Sequence, residues 1–342
     1  MDPVEAALVR RLWLPVARME DLAPGEVAAG QILDTEIVLW RSNAGAVTAS
    51  TAFCPHRGAY LADGCVADDD LQCPYHGWRF RPGDGACVLT PSSGEGAKPV
   101  RTSLEVLPAR EQYGHIWVCL GGPFLDFPSI PPLDTGEWTL ACGPPRDVAC
   151  GYRQLTENFR DMAHFAFVHT ASMGANVIKE VPRYQVERDG FDLRWDVPTD
   201  LGGTALQARE AVAGRQDFHY RLAMPSIASI ETHFPAGGRR VTAQLSVPTD
   251  LQGRYCRQFW FVAIDSTVRD EHGVSIEEMF DFEAKIFAED IPIVERQRPS
   301  EAPLDGQSQA HSPADRYSLV YREAFRDLMA AATAGEVIAH AR

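Results

Sequence analysis

Between residues 36 and 121 the apolar positions fall in short runs split by Gly and Pro: 37–41, 47–49, 78–81, 88–90 and 115–120. Ser42-Asn43-Ala44-Gly45 and Pro82-Gly83-Asp84-Gly85 sit between such runs, where hairpin turns belong, so the pattern predicts a small antiparallel β-domain. Pro123, Pro128, Pro131 and Pro132 then cluster next to Gly121-Gly122, a composition that continues neither a helix nor a central strand. The expected organisation is a first domain over 1–122, a Pro-rich linker over 123–135 and a second domain over 136–342. In the second domain the pattern predicts a helix over about 154–168, then alternating runs at 184–187, 191–197, 218–224, 227–234, 240–247 and 255–264 that read as a larger antiparallel sheet. Helical spacing returns over 275–288 and 314–332, where Leu319, Val320, Phe325, Leu328 and Met329 form one stripe. The fold class is α+β, and the Gln/Ser/Pro-rich stretch 299–313 is expected to be a surface loop.

Composition narrows the partners. With 45% hydrophobic and 23% charged residues in 342, the chain is globular rather than disordered. Its 47 acids against 32 basic residues give a net charge of -15, which disfavours a nucleic-acid backbone as ligand. No apolar run approaches the roughly 20 residues of a membrane span, and the N-terminus lacks an apolar secretory core, so a cytoplasmic protein is expected. Eight cysteines are too few for a disulfide framework in a chain this long, which directs attention to metal binding.

Cys54-Pro55-His56-Arg57-Gly58 and Cys73-Pro74-Tyr75-His76-Gly77-Trp78 form two matching loops, each with one Cys and one His. Two thiolates on one iron and two imidazoles on the other make a Rieske [2Fe–2S] centre. A structural zinc site uses the same residue types but groups them as Cys-Cys and His-His pairs, which this spacing does not do. Gly58 and Gly77 are expected to let the backbone approach the cluster sulfurs. The two loops, set in a small β-domain, resemble the Rieske domain of Rieske non-heme iron oxygenases. The extra cysteine pair of the respiratory Rieske proteins is missing: Tyr75 stands in one place, and Trp78 stands where those proteins use a serine. The other cysteines, Cys65, Cys87, Cys119, Cys142, Cys150 and Cys256, are expected to be inert.

The segment Glu157-Asn158-Phe159-Arg160-Asp161-Met162-Ala163-His164-Phe165-Ala166-Phe167-Val168-His169 holds the second constellation. At about 100° per residue, Asp161 and His164 are neighbours on a helix, while His164 and His169 diverge by roughly 140°. Both rings reach one metal only if the helix ends or distorts near Phe167. Read alone, the segment is equally a helix with a core histidine and a histidine near its C-terminus. After a Rieske domain, it resembles the mononuclear iron motif of the same family. That resemblance implies His164 and His169 as two members of a 2-His-1-carboxylate triad, with Asp290 of the Glu289-Asp290 segment as the third and Glu289 as the alternative. Pro292 is expected to stop or kink the helix there. Asp161 is implied to orient His164 and to face a Rieske histidine, His76 by position, of a neighbouring subunit in a head-to-tail homotrimer, with Asn158 close to the iron.

No Gly-x-Gly-x2-Gly dinucleotide fingerprint and no plant-type ferredoxin spacing is found. Electrons from NAD(P)H must therefore come through separate proteins, a flavin reductase and/or a ferredoxin, for which Arg57, Arg79 and Arg81 are candidate contacts. The resemblance implies a helix-grip (START-like) catalytic domain with an apolar pocket above Fe(II). The shortness of the chain favours the homotrimeric O-demethylase class, and so monooxygenation of a small, aromatic or heterocyclic substrate by hydroxylation, O- or N-demethylation or N-oxidation. Ring cis-dihydroxylation is the alternative, ahead of a Rieske electron carrier or a zinc-stabilised binding protein. Met162, Met173, Met224 and His233 are candidate pocket residues, each more readily explained as core.

Overall fold

The computed structural model describes the chain except residues 95, 174–178, 202–213 and 336–342. The chain divides into two units, one of Ala6–Phe124 and one of Met1–Glu5 with Leu125–Arg342. Helix α1 (Pro3–Val9) opens the chain.

The smaller unit holds eleven strands: β1 (Leu14–Arg18), β2 (Val27–Ile32), β3 (Thr35–Arg41), β4 (Val47–Thr51), β5 (Cys65–Ala67), β6 (Asp70–Gln72), β7 (Arg79–Phe80), β8 (Cys87–Leu89), β9 (Val106–Leu107), β10 (Ala109–Gln112) and β11 (His115–Val118). They form three antiparallel sheets in the orders β1-β11-β10, β2-β3-β4-β9 and β5-β6-β7-β8. Trp40, Leu61, Leu71, Trp78 and Phe80 pack into one core with Cys54 and Cys73, so both cysteine loops are anchored on buried apolar side chains.

The larger unit is built on an eight-stranded antiparallel sheet of β12 (Trp138–Cys142), β13 (Arg146–Val148), β14 (Glu187–Asp189), β15 (Asp192–Leu201), β16 (Gly214–Ala223), β17 (Ile227–His233), β18 (Arg239–Pro248) and β19 (Cys256–Asp265). From β14 to β19 each strand pairs with the next in sequence, and β12 and β13 both pair with β19. This meander is low in topological complexity, and it places residues of period two from every strand on one face. Trp195, Tyr220, Ile230, Thr242 and Val262 lie side by side on that face by register, and Trp260 shares the face opposite Gln244. The helices pack there: Trp195 stacks on Tyr317 of α5 (Arg316–Ala334), and Trp260 packs on Phe280 and Phe287 of α4 (Ile276–Val294). In β18 the face carries Arg240, Thr242, Gln244 and Ser246, while Val241, Ala243, Leu245 and Val247 occupy the other, and all eight are buried.

Two local expectations are corrected. The helix expected over 154–168 is two short helices, α2 (Tyr152–Asn158) and α3 (Phe165–Val168), because the chain leaves helical geometry between Phe159 and His164. The Asp161 carboxylate accepts the Ala163 N–H at 2.8 Å and so stabilises a turn in place of the helical bond. Pro292 does not stop α4, which continues to Val294 with the proline in its last turn.

Candidate functional site

The two cysteine loops have the same backbone geometry. Gly58 N–H donates to Cys54 O at 2.9 Å and Gly77 N–H to Cys73 O at 3.1 Å, while Cys54 N–H donates to Ala59 O and Cys73 N–H to Trp78 O. Both glycines sit at φ +68, where a side chain is strained. That positive φ is by itself a reason for glycine at both positions. Cys54 and Cys73 are buried, and burial together with the neighbouring Cys73 thiol raises the Cys54 pKa to about 11. A thiol held that high becomes a thiolate only when metal takes its proton's place. The His56 and His76 rings lie 4.7 Å apart edge to face, His56 stacks on Trp78 at 4.3 Å, and His76 Nδ1 is buried without a hydrogen-bond partner among the described residues. No three of these four side chains bring donor atoms within 4.8 Å of one another, as a single tetrahedral zinc needs. Two adjacent thiols, a pair of imidazoles and an unsatisfied ring nitrogen fit a [2Fe–2S] cluster better.

Among the described residues, the group of three that does converge is His164, His169 and Asp290. His164 precedes α3 and His169 follows it, so this short helix turns both rings to one point, which a continuous helix would not do. Their Nε2 atoms are 3.0 Å apart and lie 3.3 and 3.4 Å from Asp290 Oδ1. A metal about 2.1 Å from each donor produces triangle edges of about 3.0 to 3.4 Å. Each ring is fixed from behind: His164 Nδ1 donates to Asp161 Oδ2 at 3.3 Å and His169 Nδ1 to Glu289 Oε2 at 2.8 Å. Ser172 also donates to Glu289, at 2.7 Å. Both Nε2 atoms then present lone pairs to each other and to a carboxylate, an arrangement that demands positive charge at its centre. Burial opposes a charge on His164, yet the bonds to Asp161 and Asp290 outweigh it and raise its pKa to about 9. A divalent cation meets the same demand, releasing that proton. The donor set is the one used by non-heme Fe(II).

Asn158 donates to Asp290 Oδ1 at 3.4 Å and is thus brought to the triad. Glu289, the alternative third ligand, instead holds His169 from the side away from the triangle. Sequence reasoning missed that role and Ser172's. The available signal was the adjacency of two acids on α4, which face different neighbours. The triad opens into a small cavity of about 40 Å³ walled by Phe159, Phe165, Phe218, Phe282 and Phe287, with Met173 but none of Met162, Met224 or His233 in its lining. It also contains Arg240, Thr242 and Glu283, which sequence reasoning did not single out. Arg79 and Arg81 are engaged locally with Asp68 and Asp84.

The Rieske [2Fe–2S] domain family matches residues 12–108, and the vanillate O-demethylase oxygenase C-terminal domain family matches residues 148–331. The chain belongs to that oxygenase family. Rieske oxygenases of this family use a [2Fe–2S] cluster and a mononuclear iron. Among relatives, methylxanthine N1-demethylase NdmA of Pseudomonas putida is 28% identical over 95% of this chain and 90% of its own. The structure titled NdmA with caffeine superposes with a TM-score of 0.81 at 26% identity, covering 97% of this chain and 94% of that one. The dicamba O-demethylase oxygenase component of Stenotrophomonas maltophilia is 36% identical over 53% of this chain and 54% of its own. A stretch of 111 residues is also 37% identical to oxidoreductase NdmD of P. putida, spanning 32% of this chain and 19% of that protein. No helix among the described residues is long and apolar enough to cross a membrane.

Proposed function

We propose that this Rieske oxygenase is the terminal component of a multi-protein system that demethylates or hydroxylates a small aromatic or heterocyclic compound. In this reading Cys54, His56, Cys73 and His76 hold the cluster, and His164, His169 and Asp290 hold the iron. The groups they hold supply single-electron transfer and reductive activation of dioxygen. The observation that carries the reading is the His164–His169–Asp290 triangle opening into a cavity walled by phenylalanines. The chain's own residues do the rest. Asp161 and Glu289 fix both imidazole tautomers, Asn158 steadies Asp290, and the aromatic walls exclude water while leaving one side of the triad free for substrate.

For a methyl ether or N-methyl substrate the balance is one O2, two electrons and two protons in, with formaldehyde, the demethylated ring and water out. NAD(P)H supplies the electrons through a separate oxidoreductase, a role suggested by the names of the relatives. A head-to-tail homotrimer suits Asp161, which is about a third exposed and lines a polar cavity with Asn158 and His311, where a neighbouring subunit's cluster domain would dock. A reducing cytoplasm suits eight cysteines that form no disulfide.

The test is iron and sulfide analysis with an EPR spectrum of protein prepared without air. About three irons and two sulfides per chain with a Rieske signal are expected. His164→Ala should lose one iron, keep the signal, and abolish NADH-dependent formaldehyde release in the presence of a reductase. Zinc without sulfide, or full activity in His164→Ala, overturns the reading.

A further inference from the structure

The cavity beside the triad is not uniformly apolar, and its polar part is built oddly. Arg240 on β18 is 8% exposed; its Nη1 lies 2.8 Å from Glu283 Oε1 of α4, and its Nη2 donates to Thr232 Oγ1 at 3.1 Å. Its Nε has no partner among the described residues. Thr242, two residues along on the same face and 3% exposed, has an equally unpartnered hydroxyl. Both line the cavity with Glu283. Buried donors without acceptors are costly, and two of them in one pocket wall mark the place where a ligand atom completes the set. Charge restricts that atom. Glu283 already neutralises Arg240, so no free cation is left in this wall for a ligand carboxylate, which would in addition face the Glu283 charge.

We propose that Arg240 Nε and Thr242 Oγ1 together bind the carbonyl oxygen of a neutral aromatic or heteroaromatic ring, with Glu283 accepting from a neighbouring ring or amide N–H, so that this trio selects neutral carbonyl-bearing rings over ring carboxylates. The assignment deepens the oxygenase reading and rests on it. Aromatic walls hold the ring by area and stacking, while the trio fixes which edge faces away from the triad's open side.

Three probes share one ring and one methyl ether: 4-methoxybenzamide, 4-methoxybenzoate and 4-methoxytoluene. Calorimetric titration of the iron-loaded protein with each is the experiment. The amide is expected to bind at least about tenfold more tightly than the benzoate. Thr242→Val, which keeps the shape and removes the hydroxyl, should weaken the amide about five- to tenfold and leave the methoxytoluene unchanged. Arg240→Lys, which keeps the charge opposite Glu283 but removes Nε, should repeat that selective loss, with unfolding temperature reported alongside as a check on folding. Benzoate binding as tight as the amide overturns the assignment, as does an equal loss for amide and methoxytoluene in both variants. If none of the three binds while the iron and sulfide counts stand, this assignment fails alone; if those counts fail, the oxygenase reading falls too.

Discussion

Glu289 and Asp290 are adjacent on one helix and do different work. Asp290 offers an oxygen to the triad, and Glu289 takes the far N–H of His169 together with the Ser172 hydroxyl. Glu289→Gln keeps the volume but can turn a donor toward that N–H, and mononuclear iron affinity should fall about 10- to 100-fold, measured by iron titration of apo-protein. Asp290→Ala should abolish iron binding at that site and leave the cluster's EPR signal intact. A residue in the smaller unit sets a pH dependence of another kind. His115 is fully buried and donates from Nδ1 to Tyr113 O, and burial lowers its pKa to about 4. The unfolded chain, with an ordinary histidine value near 6.5, binds the proton first. Stability contributed by the neutral ring is therefore present above pH 6.5 and lost as pH falls toward 4. Between pH 7 and pH 5 the loss is about 2 kcal/mol. His115→Gln should remove that part of the slope in urea unfolding of the cluster-bearing unit.

The element that organises the site is α4. Met279, Glu283, Phe287, Asp290 and Val294 recur at intervals of three and four along its buried face. One helix face thus supplies a core contact, the cavity's acid, an aromatic wall and a metal donor in succession. Its start is secured by a capping box between Ser275 and Glu278. Ser275→Ala should cost about 1 kcal/mol in denaturant unfolding, with iron content unchanged, since the cap lies several turns from Asp290. The interruption between α2 and α3 depends on Asp161, whose two oxygens serve the turn and His164 separately. Asp161→Asn preserves the acceptor for Ala163 and loses the charge at His164. Asp161→Glu preserves the charge and moves it off the turn. The glutamate variant is expected to unfold at lower temperature, whereas the asparagine variant should keep its stability and lose turnover.

Across the whole chain, legibility followed distance. The Cys54/His56 and Cys73/His76 loops stood out in the sequence because each is local and its pattern depends on spacing alone. The longer strands were recognisable by alternation, with ends shifted by one residue in β17, β18 and β19 but by four at the end of β15 and the start of β16, where pairing rather than propensity sets the boundary. The helix end near Phe167 was legible, since α3 stops at Val168, but the break after Asn158 was not, because helical propensity runs through it and only a side-chain acceptor stops it. The Arg240–Glu283 pair was invisible because it needs both the strand register and the rotation of α4, and the Glu289–Ser172 contact because it needs that rotation and the path of the turn after α3. Another long-range contact closes the larger unit. Glu5 near the N-terminus bonds to Arg153 and accepts from Tyr152 Oη at 2.9 Å, while Glu301 stands 3.7 Å from Arg153 with burial raising its pKa to about 8. Glu5→Gln should destabilise the larger unit by about 2 kcal/mol, with Glu301 taking over as the counter-charge. A denaturant midpoint at pH 7, compared with an unchanged cluster spectrum, is the check.

Strand β18, polar on one face and apolar on the other along its buried length, also constrains how the sheet can assemble. A slip of one residue would exchange Arg240, Thr242, Gln244 and Ser246 for Val241, Ala243, Leu245 and Val247. Gln244 would then lose Leu155 O and Gln258, and Glu283 would be left buried without Arg240. The stripe is therefore a registration mark that rejects misaligned sheets as well as a lining for the cavity. Substitutions that retune the choice of ring at Arg240 or Thr242 act on the same strand that tells the chain which pairing is correct. New specificities are for that reason most accessible from α4, where a side chain can change without erasing the mark.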